Sequence, residues 1–377
     1  MTDVTARRAE MAGPAAGPGT APGSAAADTC FAAQRAEMAG PEAGPGTAPG
    51  SAAAVTYFAA RRQVRELLEE NGVPDADYDA LALLEFTAGL SRTEYFLRAQ
   101  EVMPEPAREA YAAAARRRAA REPLQYITGQ QAFCGLLLEV DEHVLIPRQD
   151  TETLVEETRR TLHGGERVLD LCTGSGCIIL ALKSLCPSIE AVATDISAGA
   201  LEKARRNAER TGLAVTFVQG DLFEALGGTE LPPAARPGAA QGDLPGTGNN
   251  NKPELLPQAA QSGAESKSGS GAVSGRFDRI VSNPPYIESD VIGTLDAEVK
   301  DFEPRLALDG GPDGLDLYRR IIGEAPAHLT AGGQLLLEIG AAQGPAVSEL
   351  LRAAGFTDVR VVKDLSGLDR VAAGRLA

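Results

Sequence analysis

Several residue types and patterns are scarce in this chain, and each scarcity excludes a class of protein. The 377 residues include three histidines and five cysteines, an odd number without a Cys-x-x-Cys pair. A disulfide framework, or a zinc site built from Cys172, Cys177 and Cys186, is therefore disfavoured, and small packing thiols in a reducing cytoplasm are favoured. No apolar run is long enough to cross a bilayer, and no signal-peptide core follows the first arginines.

Basic residues are also in deficit. Lys and Arg number 36 against 52 Asp and Glu, which gives a formal net charge of −16 at pH 7. Because affinity for nucleic acid rests largely on neutralising phosphates, this balance favours a protein or small-molecule substrate. A local exception is the arginine run at residues 116–118 with Arg121. It is predicted to be a solvated helix face, with contact to RNA or an acidic partner as the alternative.

Two long segments lack hydrophobic periodicity. Residues 8–14 recur as residues 35–41, a 27-residue tandem repeat rich in Ala, Gly and Pro. Such a composition cannot bury enough apolar area to offset the entropy of ordering, so residues 1–56 are predicted to be a disordered leader. Residues 227–275, rich in Pro, Gly, Ser, Gln and Asn, are predicted to be a flexible insertion between two strands.

The segment that follows the leader has a helical pattern. Residues 57–122 carry apolar side chains at helical spacing, interrupted by glycine and proline breaks, which predicts a small helical domain. Residues 123–149 are predicted to be a connector with a β-hairpin. Its strands, residues 133–140 and 144–146, would flank a turn at Asp141-Glu142.

Residues 150–377 alternate strand and helix patterns, which predicts an α/β fold with a doubly wound, mostly parallel sheet. The strand candidates are residues 167–171, 190–194, 215–219, 277–282 and 334–339, and helices are predicted within residues 178–185 and 201–210. Ligands of such sheets bind at the carboxyl ends of the strands. The residues that follow each strand are therefore the candidates for chemistry.

The first strand runs into a glycine-containing turn. Its residues are Cys172, Thr173, Gly174, Ser175 and Gly176, and an apolar helix with unpaired N–H groups at its start follows. The third glycine of the dinucleotide fingerprint is missing, and Asp170 before the turn would repel a pyrophosphate. The turn therefore favours a cationic ligand, and S-adenosylmethionine, which carries a sulfonium and an ammonium group, meets that requirement.

Acidic residues also follow the second and third strands. Asp195 is placed to accept the two ribose hydroxyls, and Asp221 and Leu222 are placed to hold adenine by its edge and its face. Taken singly, each acid is better explained as a helix cap or a solvated turn residue. The regular position of acids at three strand ends favours S-adenosylmethionine over a dinucleotide.

The fourth strand ends in an Asn-Pro-Pro-Tyr motif, formed by Asn283, Pro284, Pro285 and Tyr286. The prolines exclude a helix and remove two donors, so the Asn283 side chain and the backbone carbonyls can accept hydrogen bonds from an NH2 group. Tyr286 could cover the planar group that carries this nitrogen. Alone, the motif is as consistent with a Pro-rich turn; downstream of the glycine turn it predicts methyl transfer to an amino or amide nitrogen.

From residue 57 to the C-terminus, without the insertion, the chain resembles the HemK family of protein-(glutamine-N5) methyltransferases that modify peptide chain release factors. The resemblance rests on residues 123–129, 145–152, 170–176, 282–287 and 302–308. It implies a class I Rossmann-like methyltransferase domain after a helical domain that engages the release factor. It also implies S-adenosylmethionine as cofactor and the glutamine of a Gly-Gly-Gln motif as methyl acceptor.

The resemblance also assigns roles to residues. Cys172 to Gly176, Asp195, Leu222 and Asn283 would contact the cofactor, and Asn283 to Tyr286 would contact the glutamine. Cys172 stands where such turns often have glycine, so the backbone there must accept a side chain. Leu222 stands at an often aromatic position, which weakens stacking on adenine. No metal site is expected, and the protein is expected in the cytoplasm.

Two alternatives remain open. One is a nucleic-acid amino-methyltransferase that acts on adenine N6 or guanine N2 flipped into the same pocket. The other is a non-catalytic, cofactor-binding partner of a translation factor.

Overall fold

A computed structural model describes residues 55–227 and 275–377. The leader up to residue 54 and residues 228–274 of the predicted insertion lie outside the described residues, as does Cys30. The described chain begins with helices, as the apolar spacing predicts. They are α1 (Tyr57–Glu70), α2 (Ala76–Ala88), α3 (Arg92–Arg98), α4 (Glu105–Ala119) and α5 (Leu124–Thr128).

Local signals place the ends of these helices. The Thr56 hydroxyl caps α1 by accepting the Ala59 N–H at 3.2 Å, and Ser91 and Glu94 form a capping box at α3. The helices pack on a shared apolar core that includes Leu68 and Leu84, both fully buried. This core of the helical region contains no residue of the sheet that follows.

The arginine run is only partly the solvated face that the sequence predicts. Arg116 and Arg117 are exposed on α4, which confirms the prediction for them. Arg118 is 5% exposed, so the prediction is wrong there. Its guanidinium pairs with Asp79 on α2 at 2.6 Å and with Glu298, which lies far along the chain, at 3.0 Å, because a buried charge requires partners.

The predicted hairpin exists but is displaced along the chain. Strands β1 (Gln130–Phe133) and β2 (Leu136–Glu139) pair antiparallel around a two-residue turn, Cys134-Gly135. Both turn residues have positive φ, +46° and +78°, as a type I′ turn requires. A turn does form at the predicted position, where the Val144 N–H donates to the Asp141 carbonyl at 3.1 Å, but it is not the hairpin turn, because the Cys134-Gly135 dipeptide supplies the left-handed geometry first.

The second region contains a mixed sheet of seven strands within the described residues, in the order β5-β4-β3-β6-β7-β9-β8. The strands are β3 (Arg167–Leu171), β4 (Glu190–Asp195), β5 (Thr216–Gln219), β6 (Phe277–Ser282), β7 (Leu329–Glu338), β8 (Phe356–Lys363) and β9 (Asp369–Leu376). The five predicted strands are confirmed as a parallel set. The antiparallel pair β8 and β9 is not among the predictions.

Helices cover both faces of this sheet, so the prediction of a doubly wound α/β fold is confirmed. They are α6 (Glu152–Arg159), α7 (Cys177–Leu185), α8 (Ala198–Thr211), α10 (Asp316–His328) and α11 (Gly344–Ala353), whereas the short helix α9 (Ala297–Lys300), between β6 and β7, contains no buried residue. Alternate residues of β3 face opposite ways: Val168 packs with α6 and α7, and Leu169 packs with α10 and α11. None of the described helices has the length and apolar character needed to span a bilayer.

Candidate active site

The predicted site residues converge because five parallel strands end at one edge of the sheet. Cys172 follows β3 at the centre of this edge. Burial raises the pKa of its thiol, and the charges of Asp195, Asp170 and Asp221 raise it further, which shows that these strand-end acids lie around it. Asn283 follows the adjacent strand β6. The structure thus brings the glycine turn and the acceptor motif side by side.

The glycine turn is held by its own polar groups. The Thr173 hydroxyl donates to Asp170 Oδ2 at 2.6 Å, and the Thr173 N–H donates to the Thr194 carbonyl at the end of β4 at 3.0 Å. Asp170 is fully buried, and this burial raises its pKa to about 7. The turn therefore carries an acid that sits close to its titration point at neutral pH.

Three residues of the turn adopt left-handed backbone geometry. Cys172, Gly174 and Gly176 have φ values of +57°, +56° and +81°. The expectation that the backbone at Cys172 must accept a side chain in a glycine-like position is confirmed. A Cβ at Gly174 would meet no atom within 4 Å, whereas one at Gly176 would lie 3.2 Å from the Ala204 Cβ on α8. Gly174 therefore leaves room for a ligand, and Gly176 lets α7 begin against α8.

Asp195 is the last residue of β4 and lies beside this turn. Its Oδ2 accepts the Gly174 N–H at 2.9 Å and its Oδ1 accepts the Ser197 N–H at 2.9 Å. Burial raises its pKa, and these backbone donors act in the opposite direction. Ser197, rather than Asp195, caps α8 by accepting the Ala200 N–H at 3.2 Å. The helix-cap alternative for Asp195 is therefore wrong, and its fixed carboxylate remains available to a ligand at the strand end.

Asp221 and Leu222 follow β5, and the side chains of both contact other residues of the protein. Asp221 Oδ2 pairs with Arg320 of α10 at 2.8 Å. Leu222 has a φ of +49° and is 4% exposed, with its side chain packed in the core beside Leu171 and Val192. Their roles in holding adenine stay predictions.

The acceptor motif turns away from the end of β6 and lines a large cleft. The Asn283 Nδ2 donates to Thr151 Oγ1 at 3.4 Å, and the Tyr286 hydroxyl donates to Glu338 Oε1 at 3.4 Å. Gln343 Nε2 holds the Tyr286 carbonyl at 3.0 Å. The cleft has a volume of about 3230 Å³, and Asn283, Pro284 and Tyr286 are among its lining residues.

Glu338, at the end of β7, is a site residue that the sequence prediction omits. It is 2% exposed, and burial raises its pKa to about 7. Arg370, 7% exposed, lies close enough to lower that pKa and is itself paired with Asp364 at 3.0 Å and Asp150 at 3.2 Å. The strand-end rule that selects Asp195 also applies to Glu338 and would have found it.

Contacts across the cleft explain two of the segments that carry the family resemblance. Arg148, in the segment before α6, forms an ion pair with the buried Glu303. Arg121, just after α4, pairs with Glu298 of α9 at 2.5 Å. Both ion pairs tie residues before the sheet to the segment between β6 and α10, which includes the acceptor motif. Acidic side chains outnumber basic ones along the cleft.

Comparison with known sequences identifies both regions. Residues 59–129 match the PrmC N-terminal domain, and residues 168–232 match a methyltransferase domain. The release factor glutamine methyltransferase of Geobacter sulfurreducens is 38% identical over 312 residues, which cover 83% of this chain and 94% of that protein. The chain belongs to the release factor glutamine methyltransferase family. The Deinococcus radiodurans member of this family is 37% identical over 327 residues, covering 84% of this chain and 99% of its own length.

One solved structure that is similar to this chain is also described as a release factor methyltransferase. The release factor-specific protein-(glutamine-N5) methyltransferase of Alicyclobacillus acidocaldarius is 29% identical, with a TM-score of 0.32, and the match covers 63% of this chain and 99% of that chain. Membership of the release factor glutamine methyltransferase family rests on the sequence relatives. It confirms the resemblance that the acceptor motif and the glycine turn indicate.

Proposed function

We propose that this protein transfers a methyl group from S-adenosylmethionine to the side-chain amide nitrogen of the glutamine in the Gly-Gly-Gln motif of peptide chain release factors. The observation that carries this proposal is the position of Asn283. It lies one residue beyond β6, beside the glycine turn that follows β3, and it lines the cleft. Donor and acceptor subsites therefore meet at adjacent strand ends.

The residues at the glycine turn fit a cationic cofactor. The open space at Gly174 admits a ligand close to the backbone, and the start of α7 directs N–H groups toward it. Asp195 is fixed by two backbone donors and can accept ribose hydroxyls with its remaining lone pairs. When bound, S-adenosylmethionine supplies an electrophilic methyl group on a sulfonium. We assign its binding to residues 172–176, Asp195, Asp221, Leu222 and Asn283.

The acceptor motif can compensate for the low nucleophilicity of an amide nitrogen. A carboxamide nitrogen is a weak nucleophile because its lone pair is delocalised into the carbonyl. Asn283 Oδ1 and the Pro284 carbonyl would accept its two hydrogens and direct the lone pair at the methyl carbon. These hydrogen bonds strengthen as positive charge develops on the nitrogen, so they favour the transition state over the ground state. As the N–C bond forms, the methyl–sulfur bond breaks, and the methylated nitrogen then loses one proton to water or to an accepting carbonyl. Tyr286 and Pro285 would shape the walls around the amide.

The shape and charge of the cleft support a protein substrate. It extends from the acceptor motif to Tyr78 and Phe86 on α2, so the helical region can contact the protein that presents the glutamine. We propose residues 57–122 as the substrate-recognition domain and residues 150–377 as the catalytic domain, joined by residues 123–149. The acidic cleft and the net charge of −16 disfavour nucleic acid as the direct substrate. We place the protein in the cytoplasm, with the release factors.

The test is methyl transfer from labelled S-adenosylmethionine to a purified release factor. We expect label on the native factor and none on a factor whose Gly-Gly-Gln glutamine is changed. Label on neither factor, together with label on RNA or DNA, would replace this proposal with the nucleic-acid alternative. Cofactor binding without label on any acceptor would favour the non-catalytic alternative.

The role of Asn283 has a matched control. Asn283→Ala removes the acceptor oxygen, so kcat should fall about 100-fold or more while some affinity for the labelled cofactor is retained. Asn71→Ala makes the same change at the exposed end of α1 and should leave turnover unaltered. Equal kcat values in the two variants would refute the acceptor role.

A further inference from the structure

Thr151 stands directly behind the acceptor motif. It ends the short 3-10 helix Gln149–Thr151, and its side chain is 1% exposed. Its hydroxyl oxygen accepts the Asn283 Nδ2–H at 3.4 Å. Thr151 precedes α6, yet its side chain makes no cap hydrogen bond there. The hydroxyl is thus turned toward Asn283 rather than toward the start of the helix.

Glu338 approaches the same hydroxyl from the end of β7. Its Oε1 accepts the Tyr286 hydroxyl, and its buried Oε2 makes no hydrogen bond with any group of the described residues. Among the neighbours that lower the pKa of Glu338, the Thr151 hydroxyl has the largest effect. Thr151 therefore contacts the amide of Asn283 and neighbours the Glu338 carboxyl group, which can only accept a hydrogen bond when it is ionised.

We propose that Thr151 and Glu338 are positioning residues that fix which end of the Asn283 amide faces the methyl acceptor. A hydroxyl has one proton, and an ionised carboxylate can only accept one. With its proton directed at Glu338, Thr151 offers Asn283 only a lone pair. Asn283 must then present Nδ2 to Thr151, which leaves Oδ1 to receive the substrate NH2 group. This inference rests on the proposed function, because it concerns the same amide.

The distances suit a site that tightens when substrate binds. Both hydrogen bonds of the network, Asn283 to Thr151 and Tyr286 to Glu338, measure 3.4 Å. Catalytic hydrogen bonds are often long in free enzymes and shorten in the complex. A bound glutamine whose NH2 group donates to Asn283 Oδ1 would polarise the Asn283 amide. This polarisation would strengthen the hydrogen bond from Asn283 Nδ2 to Thr151.

The network also predicts a pH dependence. The pKa of Glu338 is raised to about 7 by burial. The groups that face it are Tyr286 after β6, Arg370 on β9, Asp150 and Thr151 before α6, Cys177 on α7 and Tyr318 on α10. Once protonated, Glu338 can donate to Thr151, whose own proton is then free to be donated to Asn283, and the Asn283 amide can turn over so that Oδ1 accepts it. That exchange blocks the acceptor oxygen, so turnover should fall as the pH drops through about 7.

Two substitutions at Thr151 separate its hydroxyl from its packing. Thr151→Val keeps the shape and removes the hydroxyl, and it should lower kcat for release-factor methylation about 10- to 100-fold, as loss of an outer-shell contact commonly does. Thr151→Ser keeps the hydroxyl and should restore kcat. The KM for S-adenosylmethionine should not change in either variant. A thermal unfolding scan of each variant controls for folding.

Glu338→Gln tests the pH dependence independently. The wild-type enzyme should show a rise of kcat with pH through about 7, and the variant should lose this inflection because its amide does not titrate. Wild-type turnover in Thr151→Val, equal losses in the Ser and Val variants, or an unchanged inflection in Glu338→Gln would overturn the inference. The wild-type control separates the two proposals: if the wild-type enzyme labels no release factor, the proposed function fails first.

Discussion

Glu298→Gln should weaken the contact between the helical region and the sheet. Oε1 of Glu298 accepts Arg118 Nη2 at 3.0 Å and Arg121 Nε at 2.7 Å, and its Oε2 accepts Arg121 Nη2 at 2.5 Å. Both arginines belong to the helical region, and Glu298 belongs to α9 beyond β6. The substitution removes the charge and one acceptor oxygen but keeps the size of the side chain.

The expected loss follows from the burial of these groups. The Glu298 side chain is 17% exposed, and that of Arg118 is 7% exposed. Exposed ion pairs contribute about 0–1 kcal/mol, and removal of one partner of a buried pair costs about 3–5 kcal/mol. Because glutamine retains one acceptor and Arg118 retains Asp79, we expect the free energy of unfolding to fall by about 2 kcal/mol.

The measurement is urea unfolding, with hydrogen exchange in α2 and α4 to localise the effect. Burial disfavours the charge of Glu298, but hydrogen bonds from Arg121 and Arg118 outweigh it and lower the pKa of this carboxyl. A lowered folded pKa gives stability that is present above the unfolded pKa of about 4.3 and lost as the pH falls through the folded value. The difference between wild type and variant should therefore shrink in acid.

Glu105→Gln is the matched control. Glu105 pairs with Arg108 within α4 and its side chain is 61% exposed, so its loss should cost less than about 0.5 kcal/mol. If Glu298→Gln costs no more than this control, or if its effect persists unchanged in strong acid, the ion-pair account of the contact is wrong.

Two further predictions concern the glycine turn. Gly174→Ala should weaken cofactor binding and lower stability by about 1 kcal/mol, because the backbone at this position is left-handed. Gly176→Ala should be more destabilising, because its Cβ would also lie 3.2 Å from that of Ala204. Calorimetric titration measures cofactor binding, and thermal unfolding measures stability. Asp170→Asn should gain stability relative to wild type as the pH rises from about 4 to about 7, because the unfolded wild-type chain releases the Asp170 proton in this range while burial raises the folded pKa to about 7 and keeps the carboxyl protonated. Melting temperatures across this range check the sign, and a constant difference would contradict it.

The central parallel strands β3, β4 and β6 were predictable because most of their positions are buried. Residues 167–171 and 277–282 each contain three apolar side chains, and the glycine turn and Asn283 follow them, so hydrophobic pattern and strand-end chemistry agree. The edge strand β8 has exposed or half-buried positions after its first residue, and its pattern resembles a solvated segment. Its identity as a strand depends on pairing with β9, which sequence spacing alone does not reveal.

Thr151 marks the limit of what the strand-end rule can find. Asp195, Asn283 and Glu338 share one edge of the sheet because their strands are parallel, so the chain order alone predicts that they meet. Thr151 comes from outside the sheet and reaches Asn283 across 132 positions of sequence. The Arg148–Glu303 ion pair links its segment to the chain beyond β6. We infer that this ion pair holds the 3-10 helix where the Thr151 hydroxyl can reach Asn283, so part of the resemblance at residues 145–152 and 302–308 reflects support of the acceptor site.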